Sequence, residues 1–207
     1  RVWNLPPTLG IDARLDNLSA FAKTGTIAVA TSFAGVGVKG DGSTGLYSRV
    51  SSVVPQAMWM AVQFVCNSVT PVQKQIYSLG SAGVSSAAYC GLFNGSPTTS
   101  ELILQFRAVD TTGPVINKLG PTLVVGRLYT AVGVFQSNLQ ADAYIYINGV
   151  KYTADYTGGA DISFSGGSTL VNESVGALKR GTTAVYGSDT VLFTARGIGQ
   201  IPESLAR

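Results

Sequence analysis

Short runs of β-branched and aromatic residues recur along this chain, and Gly, Ser, Asn or Pro separates each run from the next. The runs lie about ten positions apart, which is typical of all-β sandwiches and unlike an alternation of strands with helices. A length of 207 residues suits a single domain of that kind. The pattern predicts an all-β fold, a two-sheet antiparallel jelly-roll sandwich with an extended N-terminal arm.

The individual runs predict individual strands. The most apolar run, residues 57–66, is typical of a central strand that is covered on both faces. Alternation along residues 101–108 predicts that Leu102, Leu104 and Phe106 share one face. Further strands are predicted at 76–80, 88–93 and 191–195, with short strands and glycine turns within 25–54.

The clearest local signal is an Asn-Gly pair between two alternating runs, because this pair tolerates the two positive φ angles of a type I′ turn. It predicts a β-hairpin over residues 143–152. Tyr144, Tyr146 and Tyr152 are expected to share one face of this hairpin. Such a stripe favours cross-strand packing over a platform for a ligand.

The two ends of the chain depart from the strand pattern. A Pro-Pro pair near the start predicts the extended arm, and apolar residues at helical spacing predict a short helix over 11–22. A proline followed by an acidic residue predicts one helical turn within 198–206. The expected division is an arm with a short helix at 1–25 and a sandwich at 26–207. The missing initiator Met indicates an excised or processed fragment.

The composition excludes two classes of partner. Only 12% of the residues are charged and the net charge is +3, without a run of Lys or Arg that could follow a phosphate backbone. Nucleic acid is therefore not an expected partner. No apolar stretch approaches the ~18–20 residues of a membrane helix, so the chain is expected to be soluble, with no membrane partner.

Cys66 and Cys90 each lie in an apolar, strand-like run. Two buried core thiols are the favoured prediction, because a free Cys behaves as a small hydrophobic residue. A disulfide between neighbouring strands is the alternative.

Histidine is absent from the chain. Its absence removes the usual base of Ser-His-Asp and Cys-His nucleophiles and the imidazole metal ligand. A glycosidase would need two carboxylates that face each other across the sugar, and the only glutamates are Glu101, Glu173 and Glu203. An Asp pair stays open as an alternative. The sequence nevertheless predicts a protein that is not an enzyme, with no catalytic residues.

Two segments contain more specific patterns. Residues 126–135 read Gly-Arg-Leu-Tyr-Thr-Ala-Val-Gly-Val-Phe, and residues 144–150 read Tyr-Ile-Tyr-Ile-Asn-Gly-Val. They resemble the Gly-x-Trp-Tyr-x-x-Val-Ala strand and the Leu-Tyr-Val-Asn-Gly hairpin of laminin-G-like members of the concanavalin-A-like superfamily. Leu128 stands where that family has Trp, and the final strand lacks the family's acidic residue. The resemblance runs from Val53 to Ala206 and implies a concanavalin-A-like jelly roll.

The last residues, Gly-Gln-Ile-Pro-Glu-Ser-Leu-Ala-Arg, are similar to the C-terminal region of laminin-G-like proteins encoded by tailed bacteriophages and prophages. This similarity implies a virion component, such as a head decoration, fibre or tail protein. The expected location is therefore the virion, an extracellular particle.

Calcium is the cofactor that the resemblance implies, and it needs several oxygen ligands that converge on one point. Candidates in loop-like contexts are Asp41, Asp110, Asn172, Glu173 and Asp189. The alternative is that each of them is a turn residue that hydrogen-bonds its own backbone. The sequence favours this alternative, because no Asp-x-Asp-x-Asp spacing is present, and it predicts no cofactor.

Sugar binding would use an aromatic face beside Asn or Asp groups that recognise hydroxyls. The candidate pairs are Tyr89 with Asn94, and Tyr186 with Asp189.

Three hypotheses from different classes follow. The first is a non-enzymatic structural protein of a virion, held by contacts with other virion or coat protein chains and forming a homo-oligomer. The alternative is a carbohydrate-binding, lectin-like adhesion module that recognises a cell-surface glycan. The third, a hydrolase, requires a carboxylate pair in a cleft.

Overall fold

The computed structural model describes residues 22–24, 27–32, 35–69, 73–83, 87–95, 100–110, 112–181, 183–199 and 201. This part of the chain forms strands and one 3-10 helix, Gln140–Asp142. The strands are β1 Ala22–Thr24, β2 Ile27–Ser32, β3 Gly35–Gly40, β4 Leu46–Val53, β5 Met58–Val65, β6 Lys74–Gly80, β7 Tyr89–Asn94, β8 Glu101–Arg107, β9 Ile116–Thr122, β10 Leu128–Phe135, β11 Ala143–Ile147, β12 Val150–Tyr152, β13 Leu170–Val175, β14 Ala177–Lys179, β15 Thr183–Tyr186 and β16 Thr190–Ile198. None of the described segments is a helix with the length and hydrophobicity needed to cross a lipid bilayer.

The strands form two seven-stranded sheets. Sheet A has the order β1-β4-β13-β6-β7-β8-β9, and sheet B has the order β12-β11-β10-β5-β16-β3-β2. Neighbouring strands in both sheets are antiparallel. Strands β14 and β15 form a separate two-stranded hairpin. The predicted all-β sandwich of two antiparallel sheets is confirmed.

Alternation along the strands fills the space between the sheets with apolar side chains. Leu102, Leu104 and Phe106 of β8 all point into this core, as the spacing predicts. The ring of Phe106 meets the ring of Phe135, on β10 of the other sheet, edge to face at a centroid distance of 4.9 Å. Such contacts hold the two sheets face to face.

Strand β5 lies in the middle of sheet B and is covered on both faces, as predicted. Met58 and Met60 point into the core between the sheets. Trp59 and Ala61 alternate with them and pack in a second cluster on the outer face of sheet B, which includes Ile201.

The predicted hairpin is formed by β11 and β12, and both of its turn residues have positive φ, 49° and 84°. Tyr144 and Tyr146 pack on the outer face of sheet B. The prediction that Tyr152 shares their face is wrong, because Tyr152 packs against the core between the sheets. The two-residue turn pairs Tyr152 directly with Ile145, and paired residues on neighbouring strands point to the same face.

The predictions for the chain ends fall mostly outside the described residues. The helix expected over 11–22 lies outside them except for Ala22, which begins β1. Strand β1 pairs with β4 in sheet A, although the predicted boundary assigns these residues to the arm. At the other end, β16 extends to Ile198, and most of the helical turn predicted within 198–206 lies beyond the described residues.

Both cysteines are free and buried, which confirms the prediction of two core thiols. The Sγ atom of Cys90 lies 3.5 Å from the Sδ atom of Met60. Burial raises the pKa of both thiols, to about 11 for Cys66 and well above the ordinary value for Cys90. At neutral pH both sulfurs are therefore protonated and poorly nucleophilic.

A buried carboxylate connects the two sheets. Glu173 of β13 accepts hydrogen bonds from Arg49 Nε and Nη2 at 3.0 and 2.9 Å, and from the Tyr77 hydroxyl at 2.6 Å. Arg196, on β16 of the facing sheet, donates from Nε to Glu173 Oε2 at 3.0 Å. Burial acts to raise the pKa of Glu173, but the bonds from Arg49 and Tyr77 and the charge of Arg196 lower it. Glu173 is therefore ionised at neutral pH.

We expect the substitution Glu173→Gln to destabilise the protein by about 3 kcal/mol, because it leaves two guanidinium groups without their carboxylate. This is the low end of the range for buried pairs, since the Arg49 and Arg196 side chains are 31% and 25% exposed. The measurement is urea unfolding at pH 7.

The matched control is Glu101→Gln, because Glu101 is also on sheet A but its Oε2 atom has no hydrogen-bond partner. Because a buried carboxylate oxygen without a partner is a cost to the folded state, removal of this charge should leave the stability equal to or above that of the wild type. Equal effects of the two substitutions would contradict the role assigned to Glu173.

As the pH falls through the lowered pKa of Glu173, the greater stability of the wild type over Glu173→Gln should disappear.

Candidate functional site

The outer face of sheet A carries a concentration of amide and guanidinium groups. The alternation that buries Leu104 in β8 turns Gln105 and Arg107 to this outer face. Antiparallel pairing then places Tyr89 of β7 opposite Arg107, and Asn117 of β9 opposite Gln105. These polar side chains come from three neighbouring strands, so the rigid sheet fixes their spacing.

Gln105 is the centre of a hydrogen-bond network on this face. Its Oε1 atom accepts from the Tyr89 hydroxyl at 2.9 Å and from Gln73 Nε2 at 3.1 Å. Its Nε2 atom donates to Asn117 Oδ1 at 3.2 Å, and Asn117 Nδ2 donates to the carbonyl of Thr157 at 3.2 Å. A primary amide has two N–H groups, so the Nε2 atom of Gln105 has one further hydrogen to donate.

Two arginines lie over the ring of Tyr89. The guanidinium carbons of Arg107 and Arg180 are 5.6 and 5.9 Å from the ring centroid, within cation–π range. Burial raises the pKa of Tyr89, while the charges of both arginines act to lower it. The Nε atoms of Arg107 and Arg180 are buried without a hydrogen-bond partner, which costs about 1–3 kcal/mol for each unsatisfied donor.

Glycine makes room for this arrangement. A Cβ atom on Gly80 would lie 2.1 Å from the carbonyl oxygen of Lys179 and 3.2 Å from Cγ of Arg180. Gly80 pairs with Tyr89, so the absence of a side chain on β6 lets Arg180 approach the Tyr89 ring.

Two segments border this surface. On the β6 side, the β14–β15 hairpin contributes Leu178 and Val185 to the apolar cluster that contains Tyr89. On the β9 side, residues 153–160 follow the edge of the sheet, where Tyr156 donates its backbone N–H to the carbonyl of Asn117 at 3.0 Å. The side chain of Tyr156 is half-buried and packs against the same cluster. We define the amide-arginine face as the set Gln73, Tyr89, Gln105, Arg107, Asn117, Tyr156 and Arg180.

The predicted sugar-binding residues Tyr89 and Asn94 do not meet in the structure. Asn94 instead contacts Asp189, a residue of the other predicted pair. Tyr89 and Asn94 lie at opposite ends of β7 and on opposite faces of sheet A. Asn94 is buried and donates from Nδ2 to Asp189 Oδ2 at 2.9 Å and to the carbonyl of Ser68 at 2.8 Å. Asp189 Oδ1 accepts the backbone N–H of Asn67 at 2.8 Å. Asn94 and Asp189 therefore form one buried cluster at an end of the sandwich.

The pKa of Asp189 is raised in this cluster. Burial raises its pKa to about 6, against the opposing effect of the hydrogen bonds from Asn67, Asn94 and Ser68. The Oδ1 atom of Asn94 is also buried and has no hydrogen-bond partner. A buried carboxylate with a raised pKa is a feature of many functional sites, although structural networks have it too.

Two other candidate calcium ligands bind groups of the chain itself. Asp41 Oδ1 accepts the backbone N–H groups of Ser43, Thr44 and Gly45 at 2.8, 2.8 and 3.0 Å. The hydroxyl and N–H of Thr44, with the other N–H groups, lower the pKa of Asp41 far below its ordinary value. Asp110 Oδ1 accepts the backbone N–H of Ala88 at 2.6 Å and a bond from the Ser81 hydroxyl.

The remaining predicted residues lie apart from these turns. Asn172 and Glu173 are neighbours in β13, and Glu173 is bound by the arginines between the sheets. Tyr186 is half-buried in β15. Within the residues that the structure describes, no group of three or more Asp, Glu or Cys side chains could hold a metal ion. The absence of a cofactor stays a prediction, with calcium as the alternative.

Sequence reasoning found Tyr89 but missed the other members of the amide-arginine face. A signal for Gln105 and Arg107 was available, because they alternate with Leu104 and Phe106 in β8 and must face the other way. No local signal marked Arg180, because it approaches Tyr89 from a hairpin about ninety residues further along the chain.

No family model and no curated protein matches this chain. Solved structures do resemble it. Domain 4 of AbnA, a GH43 extracellular arabinanase from Geobacillus stearothermophilus solved in complex with arabinotriose, has a TM-score of 0.62 at 13% identity and covers 94% of this chain and 95% of its own. Trypanosoma rangeli sialidase in complex with sialic acid has a TM-score of 0.58 at 12% identity, over 87% of this chain and 28% of the sialidase.

The enzymatically active domain of tailspike protein 2 from bacteriophage CBA120 has a TM-score of 0.62 at 11% identity, over 89% of this chain and 29% of that one. The chain thus spans less than a third of the sialidase and tailspike chains. At these identities the similarity establishes a β-sandwich fold shared with domains of carbohydrate-active proteins.

We expect the stability of the wild type, relative to that of Asp189→Asn, to fall as the pH rises from about 4 to about 6. Asp189 has a pKa of about 6 in the folded state and an ordinary value near 3.8 when unfolded, so the folded protein holds the proton more strongly. The contribution is therefore present at low pH and is lost as the pH rises through the folded value. Its upper limit is about 3 kcal/mol, and urea unfolding at a series of pH values measures it.

Asp41→Asn is the control, because the pKa of Asp41 is lowered in the folded state and its stability should therefore change with pH in the opposite direction. The wild type should gain stability over this variant as the pH rises through the ordinary Asp range. Parallel pH profiles for the wild type and Asp189→Asn would contradict the burial-driven shift.

Proposed function

We propose that this chain is a carbohydrate-binding, lectin-like module and that the amide-arginine face binds the glycan. The observation that supports the proposal best is the network around Gln105, which presents amide and guanidinium donors beside Tyr156 on one rigid sheet. Sugar hydroxyls donate and accept hydrogen bonds, so amides match them in both directions. The ring of Tyr156 offers an apolar surface for the C–H groups of a sugar.

The similar structures support the same proposal. The structures of the arabinanase domain and of the sialidase each contain a bound carbohydrate, arabinotriose and sialic acid respectively. The arabinanase domain is also similar in size, since the match covers nearly all of both chains. A separate domain of a larger carbohydrate-active protein is therefore a reasonable model for the role of this chain.

We propose binding without hydrolysis. A glycosidase needs two carboxylates that face the scissile bond. Glu173 is occupied by Arg49, Tyr77 and Arg196 between the sheets, and Asp189 is buried at an end of the sandwich. Neither carboxylate is presented to a sugar bound on the amide-arginine face.

The proposed setting is an extracellular particle. The similarity to a bacteriophage tailspike domain and the resemblance of the C-terminal residues to phage laminin-G-like proteins both support a virion protein. In this setting the module would attach the particle to a cell-surface glycan, and its protein partners would be other virion chains or further copies of itself. A purely structural role in the virion is the second proposal, and the same two similarities support it.

We expect the purified chain to bind glycans on an array, in a manner that soluble sugar competes away, and Gln105→Ala to weaken this binding by about tenfold. The substitution removes the free N–H of Gln105, whose hydrogen bond to a sugar hydroxyl would contribute about 1–1.5 kcal/mol, and about 1.4 kcal/mol corresponds to tenfold in affinity. Titration calorimetry with the best array ligand, with calcium and again with chelator, gives the affinity and tests whether calcium takes part in binding.

Gln63→Ala is the matched control, because Gln63 is a half-buried glutamine on the outer face of sheet B, where it donates to Thr130 at 3.4 Å. It should bind as the wild type does. Absence of binding to every glycan would leave the structural role as the working hypothesis. Equal loss in both variants would move the site away from this face.

A further inference from the structure

We infer that the amide-arginine face selects acidic sugars, with Arg107 and Arg180 holding the carboxylate of a sugar acid. The inference rests on the proposed glycan-binding function and adds the class of ligand. It follows from two guanidinium groups that converge on one tyrosine ring and that have no acidic partner among the described residues.

The charged groups elsewhere in the protein show what is different about this pair. Arg49 and Arg196 both bind Glu173, and the buried Lys118 binds Asp155. For Arg107 and Arg180, the described part of the chain contains no carboxylate within ion-pair distance. Their Nε atoms are buried and lack any hydrogen-bond acceptor. Both arginines are nevertheless only half-buried, so an anionic group can reach the outer part of each guanidinium and supply the negative charge that the described residues do not.

The carboxylate of the acidic residue closest to Arg107 along the chain already has hydrogen-bond partners within the protein. Asp110 follows β8, but its carboxylate binds the Ser81 hydroxyl and the backbone N–H of Ala88. Gly83 accepts the backbone N–H of Gly181 at 2.8 Å, so this loop also anchors the segment next to Arg180. Asp110 thus stabilises the loop and does not neutralise the arginine pair.

Tyr89 keeps the two guanidinium groups in place. It is buried, donates its hydroxyl hydrogen to Gln105, and has a cation over its ring from each arginine. A planar guanidinium matches the two oxygens of a carboxylate, and a group already held by a ring loses less entropy when it binds. Two such groups around one ring favour a carboxylate over a neutral hydroxyl.

The neighbouring amides would then orient the rest of the sugar. Gln105 links the Tyr89 hydroxyl to Asn117, and Gln73 donates to the same oxygen of Gln105. A sugar whose carboxylate is held by Arg107 and Arg180 would place its hydroxyls along this row of amides. The arginines thus select the charge, and the amides select the hydroxyl pattern.

The test uses an array on which each uronate- or sialate-containing oligosaccharide is printed beside its carboxyl-reduced counterpart, together with neutral and sulfated glycans. The full chain is expected to bind at least one acidic glycan at least tenfold more strongly than its reduced counterpart. Arg107→Gln and Arg180→Gln should each weaken this binding by about tenfold, as expected for a lost charge-assisted hydrogen bond. Arg127→Gln, at an exposed arginine in the turn before β10, should leave it unchanged.

Arg107→Lys distinguishes a loss of binding from a loss of folding, because it keeps the charge and the apolar part of the side chain but removes the planar guanidinium. It should bind more weakly than the wild type and more strongly than Arg107→Gln at the same melting temperature. Equal binding of acidic and reduced glycans, or a preference for sulfated glycans alone, would overturn the inference and leave glycan binding intact. Folded Arg107→Gln and Arg180→Gln proteins with full affinity would do the same. Absence of binding to every glycan would overturn both proposals.

Discussion

The two-residue alternation of side chains along each strand is the constraint on which both the core and the candidate site depend. In β8, Leu104 and Phe106 pack between the sheets, and this leaves Gln105 and Arg107 on the outer face. The same backbone therefore stabilises the sandwich on one side and presents polar groups on the other. A shift of one residue in the register of β8 would exchange these two sets of side chains.

Buried and half-buried charged side chains of this protein occur in two arrangements, one with a carboxylate partner and one without. Between the sheets, Glu173 gathers Arg49 and Arg196 from opposite sheets, so that each charge has a partner where water is scarce. On the outer face of sheet A, Arg107 and Arg180 rest on the Tyr89 ring and lack a carboxylate among the described residues. The first arrangement explains stability. The second leaves two buried Nε donors without an acceptor, which lowers the stability of the folded protein.

The candidate site was only partly predictable, and the reasons are physical. Tyr89 was proposed as a ligand because it is an aromatic residue near an Asn. Its predicted companion Asn94 is five residues away in the same strand and therefore on the other face. Asn94 instead meets Asp189, which is on a distant strand. Local spacing identified polar residues of the right type, but sheet pairing decided which of them meet.

The sequence by itself determined the strands with the clearest apolar runs, the Asn-Gly hairpin and the all-β class, because alternation and turn chemistry act over a few residues. Only the tertiary structure decided that Tyr152 faces the core, that Glu173 joins the two sheets, and that Arg180 reaches Tyr89. Those contacts depend on the order of strands in each sheet and on the register between strands. They arise from hydrogen bonds and packing between residues far apart along the chain, which no local pattern records.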